Sequence, residues 1–288
     1  MIRVTSDGKG IRTYQVLRPP TVYLDHWALM KIACDPDRSS RFRRAVTAAK
    51  GTLAFSWMGL YEFSGITNQH QLAVVDQFLA ALYPEHLAFV LTDPDEIVAN
   101  EDRLLGGAPR QAPHLDAKLC QIFVSRALAL ERPIRFVAAI AEPEAAAKAR
   151  ARWVDACSKF ARMIQAARNM PGVMRRLSIK HGETKVQSPL RYVNRAALIL
   201  ILKNERTRLD THHWSDFIHA IVPACYCDLV LLDRGWATMV RQVFEELSRK
   251  EVLTEHAEIF TARTLDGFWQ QLEGPSKGHS GERIGARV

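Results

Sequence analysis

The sequence predicts an α/β fold built on a parallel sheet, and two observations carry that expectation. Short apolar runs rich in β-formers recur along the chain: Thr21-Val22-Tyr23-Leu24-Asp25, Leu53-Ala54-Phe55-Ser56, Leu87-Ala88-Phe89-Val90-Leu91, Asp228 to Asp233, and Glu258-Ile259-Phe260-Thr261. They read as strands buried on both faces. Helix-like sequence follows each run, and strands alternating with helices make βαβ units.

The elements follow in order. Residues 1–20 are a polar, basic lead-in with Gly8, Gly10 and a Pro19-Pro20 stop. The first strand, 21–25, leads into helical sequence through about Lys50, broken at Pro36 and ended by Gly51. The second strand continues into a helix from Met58 to Thr67, and another helix runs from 69 to 82 before Pro84. After the third strand, Asp93 caps a helix over 94–105. Between 106 and 208 the β-branched runs disappear. Gly106 to Pro109 is a loop. Leu115 to Leu130, Glu142 to Met170 and Arg191 to Arg208 are helical, and Pro171-Gly172 opens a basic loop with Arg175, Arg176, Lys180 and Lys185. The α/β pattern resumes with helices at 214–226, 235–249 and 265–272 around the last two strands. The domain division is therefore a lead-in at 1–20, an α/β unit at 21–105 and 209–272, a helical insertion at 106–208, and a polar tail at 273–288 expected to be disordered.

Composition narrows the function. The 288 residues are 48% hydrophobic and 24% charged, ordinary for a globular protein. The longest apolar run, Ala196 to Leu202, falls far short of the roughly 20 residues of a membrane span. No membrane association is expected. Five cysteines in no framework spacing and no secretory leader point to a cytoplasmic protein. The net charge of +8 suits a polyanionic substrate.

Four acids stand where strands end or helices begin: Asp25, Glu62, Asp216 and Asp233. In open parallel sheets the carboxyl ends of the strands line the ligand crevice. Clustered carboxylates repel unless a cation joins them, and oxygen-only ligands suit Mg²⁺ or Mn²⁺. A basic chain with such a cluster is expected to be a metal-dependent phosphodiesterase. Arg234, beside Asp233, together with Arg175, Arg176 and Lys180, are candidate contacts for substrate phosphates. Asp228 starts its strand and belongs to the other end of the sheet, as a loop or cap residue.

Their order resembles the PIN-domain family of nucleases. The matching stretches are Val22-Tyr23-Leu24-Asp25, Leu60-Tyr61-Glu62-Phe63, Asp216 to Ala220 with Ala224, and Leu229 to Asp233, with Leu87 to Leu105 resembling the family's third strand and next helix. The resemblance implies a three-layer α/β/α sandwich and an acidic pocket that binds Mg²⁺ or Mn²⁺ and hydrolyses RNA, less often DNA. It makes Asp25, Glu62, Asp216 and Asp233 the metal-site acids, with Asp25 and Asp233 on the main ion. His26 and Trp27 depart from the small hydroxyl residue usual after the first acid, Leu231 replaces a common Thr or Ser, and His219 a small or apolar residue. Those departures keep a second class open, a scaffold that binds RNA or protein without cutting. The family also suggests a toxin paired with a small acidic antitoxin. Self-association is left open.

Overall fold

The computed structural model describes residues 1–7, 10–64, 66–105, 112–130, 143–183, 188–204, 211–252 and 256–274. The lead-in is not a polar extension. Ile2–Asp7 (β1) and Gly10–Gln15 (β2) pair as an antiparallel hairpin, from Ile2 opposite Gln15 to Asp7 opposite Gly10. The physical reason lies in β-forming residues, Ile2, Val4, Thr5, Ile11, Thr13 and Tyr14, spaced through the basic stretch. The hairpin is tied to the rest of the molecule: Ile2 N donates to Pro84 O at 2.8 Å.

Five strands form the central sheet: Thr21–Leu24 (β3), Thr52–Ser56 (β4), Leu87–Val90 (β5), Leu229–Leu231 (β6) and Glu258–Phe260 (β7). All pairings are parallel, in the order β5-β4-β3-β6-β7. The chain runs outward from β3 through β4 to β5, then returns to place β6 on the other side of β3. The order therefore reverses between β3 and β6, the kind of switch point where such sheets open a crevice at their carboxyl ends. The exposed edge of β5 is covered: Gln15 Oε1 accepts from Phe89 N at 2.7 Å, and Asp116 N donates to Phe89 O at 2.9 Å.

Alternate residues of each strand serve opposite cores. Tyr23, Ala54, Ala88, Val90, Val230 and Ile259 face one apolar cluster; Val22, Leu24, Leu53, Phe55, Leu87, Phe89, Leu229, Leu231 and Phe260 face the other. Helices cover both. The second face takes His26–Ala33 (α1), Pro36–Ala49 (α2), Trp57–Ser64 (α3) and Gln69–Leu82 (α4). The first takes Pro94–Leu105 (α5). Asp93 caps α5 by accepting from Asp95 N at 2.9 Å.

The stretch expected as an insertion carries Ala117–Leu130 (α6), Pro143–Arg168 (α7), Val173–Leu177 (α8) and Pro189–Lys203 (α9). Its helices are shared between the faces: Cys120, Phe123 and Val124 of α6 join one core, while Ile164 of α7 and the apolar side of α9 join the other. Among the described residues of this stretch, the β-pairing is a single antiparallel bridge from Leu115 to Val90. The Arg175–Arg176 segment, expected as a loop, forms α8. The expected loop at 106–109, the helix end at 205–208 and the tail at 275–288 lie outside the described residues. The last helices are Thr211–Tyr226 (α10), Arg234–Arg249 (α11) and Leu265–Glu273 (α12). Among the described residues no helix is long and apolar enough to cross a membrane.

Candidate functional site

Each acid is placed by a local rule. Asp25 follows β3 and caps α1. Its Oδ1 accepts from His26 N at 2.7 Å, and its own amide donates to Leu231 O at 3.0 Å, which fixes it against β6. Asp233 follows β6 and caps α11, accepting from Gly235 N at 2.7 Å and Trp236 N at 3.2 Å. Capping and site placement therefore coincide at both aspartates, since a helix that starts at the carboxyl end of a parallel strand puts its cap in the crevice. Glu62 lies on α3, which leaves the carboxyl end of β4. Asp216 is exposed on α10. The helix begins at Thr211, so Asp216 sits beyond the first turn rather than opening the helix as expected.

Asp25 lies within electrostatic reach of Glu62, Asp216 and Asp233, and Glu62 within that of Asp216. Burial pushes the Asp25 carboxyl up to about 6; the amides of His26 and Asp233 oppose the shift, and the charges of Asp216 and Asp233 add to it. Burial, then the charges of Asp25 and Asp216, push Glu62 up to about 8. At neutral pH and without a cation Glu62 therefore holds its proton. Desolvation and like charge both act in that direction, and an ion would relieve both.

Two histidines flank Glu62, one at each oxygen. His26 Nδ1 lies 3.6 Å from Oε2 and His219 Nε2 lies 3.9 Å from Oε1. His26 is 36% exposed at its side chain and packs on the Phe63 ring at 5.2 Å. His219 is 3% exposed, and its Nδ1 shares a hydrogen bond with the Tyr23 hydroxyl. Burial and the neighbouring His26 lower His219 to about 4, so it is neutral. His26 Nδ1, Glu62 Oε2 and His219 Nε2 are buried with no hydrogen-bond partner among the described residues. The sequence marked both histidines only as departures. Their clustering with Glu62 was legible in part, because His219 follows Asp216 by three residues and so shares its helix face.

An aromatic stack includes Trp236, whose amide donates to Asp233, and Phe217, which follows Asp216 in the chain. Phe160, Trp214 and Phe217 stack in series, and Trp236 meets Phe217 edge-on at 6.2 Å.

The expected phosphate contacts separate into two groups. Arg234 is the first residue of α11, exposed beside Asp233. Arg175, Arg176 and Lys180 are exposed elsewhere. Lys250, at the far end of α11, donates through Nζ to Ile179 O at 2.7 Å and accepts at its carbonyl from Gly182 N at 2.9 Å. With Asp233 capping the other end, the 16 residues of α11 put about 24 Å between the two places. Asp228 is at the amino end, where Oδ2 accepts from Thr21 N at 2.6 Å and Thr21 Oγ1 at 2.7 Å.

Among the described residues no three His, Cys, Asp or Glu side chains stand close enough together to hold a metal ion. The donor set nevertheless fits a hard divalent cation in kind: it is four carboxylates, two of them desolvated, with one buried oxygen unpartnered. No family model, curated protein or solved structure matches the chain.

Proposed function

We propose that this chain is a divalent-metal-dependent phosphodiesterase acting on RNA, with a PIN-like site. The observation that carries the reading is the meeting of Asp25, Glu62, Asp216 and Asp233 at the switch point of the sheet, with two of the carboxyls raised by burial and by one another. Such an arrangement costs stability unless a cation joins it, and acids held at that cost mark a site built for one. The net charge of +8 supports a polyanionic substrate, and the resemblance of the acid-bearing stretches to PIN nucleases favours RNA over DNA.

Asp25 and Asp233 would hold the main Mg²⁺ or Mn²⁺, with Glu62 and Asp216 beside them. A bound ion supplies a Lewis acid for the phosphoryl oxygens and an acidified water. The chain's own groups do the rest. The amides of His26 and Asp233 fix the Asp25 carboxylate, and the first amides of α11 fix Asp233. Arg234, exposed next to Asp233, is placed to meet a substrate phosphate. Lys180 is left out of this role because its neighbours Ile179 and Gly182 bond to Lys250 at the other end of α11, while Arg175 and Arg176 stay candidate contacts.

The test is cleavage of matched single-stranded RNA and DNA with Mn²⁺, Mg²⁺ or chelator. The reading expects metal-dependent cutting of RNA. Cutting of DNA alone would transfer the reading to a DNA nuclease, and cutting that survives chelation would remove the metal from it.

A further inference from the structure

The buried pair Tyr23 and His219 has no task in the reaction described above, yet it sits directly behind Glu62. Tyr23 is 3% exposed on β3 and His219 is 3% exposed on α10, so their contact crosses from sheet to helix layer inside the core. A buried polar pair of this kind is costly unless each donor finds an acceptor. Burial, with the charges of Asp25 and Glu62, keeps the Tyr23 phenol protonated. Its O–H can therefore donate, and His219 Nδ1 is the atom with which it shares a hydrogen bond. With Nδ1 accepting, the ring proton of neutral His219 is on Nε2. That N–H has no acceptor within hydrogen-bond distance among the described residues, and Glu62 Oε1 lies 3.9 Å from it.

We propose that Tyr23 and His219 are positioning residues for Glu62: the phenol donates to Nδ1 and so fixes the imidazole tautomer, and the Nε2–H so directed faces Oε1 of Glu62 across 3.9 Å, where its dipole orients that oxygen toward the acid cluster. The arrangement has the logic of outer groups around metal-site carboxylates, where a donor one shell out orients the oxygen that does the binding. His219 is a buried polar side chain among the apolar residues Phe217, Ile218 and Ala220 of α10, and the orientation of Glu62 accounts for the imidazole. The inference rests on the acid cluster being a divalent-cation site, and the test separates the two.

The experiment measures Mn²⁺ affinity by electron paramagnetic resonance titration in the full chain and in Tyr23→Phe, His219→Leu and the double variant Y23F/H219L. The double variant replaces both partners with apolar groups of similar size, so it keeps the core filled without an orphaned donor. Thermal unfolding of each protein reports on the fold. The tautomer of His219 is read by nitrogen-15 NMR in the parent and in Tyr23→Phe.

The expected result is a parent that binds Mn²⁺ with His219 protonated at Nε2, and a double variant that melts like the parent but binds Mn²⁺ about tenfold to a hundredfold more weakly. A double variant that binds as tightly as the parent overturns the positioning role and leaves the metal site standing. A parent His219 protonated at Nδ1 overturns it as well. A parent that binds no Mn²⁺ overturns the metal site itself, and the positioning role with it.

Discussion

Glu62 is the residue on which the electrostatics of the site turn. Its carboxyl is raised from the ordinary 4.5 to about 8 by burial and by Asp25 and Asp216. The folded chain therefore holds a proton that the unfolded chain releases, and stability falls as pH rises between those two values. In the absence of metal, resistance to urea should decline from about pH 5 to pH 8, and Glu62→Gln should flatten that decline, because an amide has no proton to lose. Parallel pH profiles for the two proteins would show that Glu62 ionises as freely folded as unfolded. Metal reverses the sign: binding must displace the protons of Glu62 and Asp25, so Mn²⁺ affinity in the parent should climb through the same range. Titration calorimetry in buffers of different ionisation enthalpy checks it, and binding without proton release would contradict it.

The strand carrying Asp25 is tied to the strand before Asp233 at both ends. At the carboxyl end Asp25 N donates to Leu231 O, and at the amino end Asp228 accepts from the amide and hydroxyl of Thr21. Asp228→Ala removes two bonds to a half-buried carboxylate and should cost about 1 to 3 kcal/mol in urea unfolding. A loss smaller than about 0.5 kcal/mol, as for an ordinary surface change, would show that the tie is idle. At this scale the sequence was informative. Five apolar runs, each followed by helical sequence, were enough to place all five sheet strands, because strands buried on both faces cannot hide their composition. The hairpin at residues 2–15 escaped because Arg3, Arg12 and the glycines break up its apolar alternation. The acids were legible as a set because a strand end followed by a helix start fixes both a cap and a crevice position. The Tyr23–Glu62–His219–His26 cluster was legible only in the helix face that His219 shares with Asp216, because its members come from β3, α3, α10 and α1 and meet only once the sheet order is known.

Across the whole molecule, charge is divided between two ends of the sheet. The acids gather at the carboxyl end, and Lys180, between Ile179 and Gly182, lies near Lys250 at the other. Sequence proximity gave no hint of that separation, because α11 carries the chain from one end to the other. At physiological salt, charges about 24 Å away lie well beyond the screening length of about 8 Å. Lys180→Ala should therefore alter RNA cleavage by less than about threefold, and a larger loss would extend the substrate path along α11. The central claim is that the acid cluster holds the catalytic ion, and Asp233→Asn tests it most directly. Asparagine keeps the cap on α11 and the side-chain volume while removing one charge. The paired measurement is the rate of Mn²⁺-dependent RNA cleavage and the melting temperature with and without Mn²⁺. The account predicts a parent that cuts and is stabilised by Mn²⁺, and a variant that melts like the metal-free parent, does not cut and gains nothing from the ion. A variant that cuts as fast as the parent would contradict it.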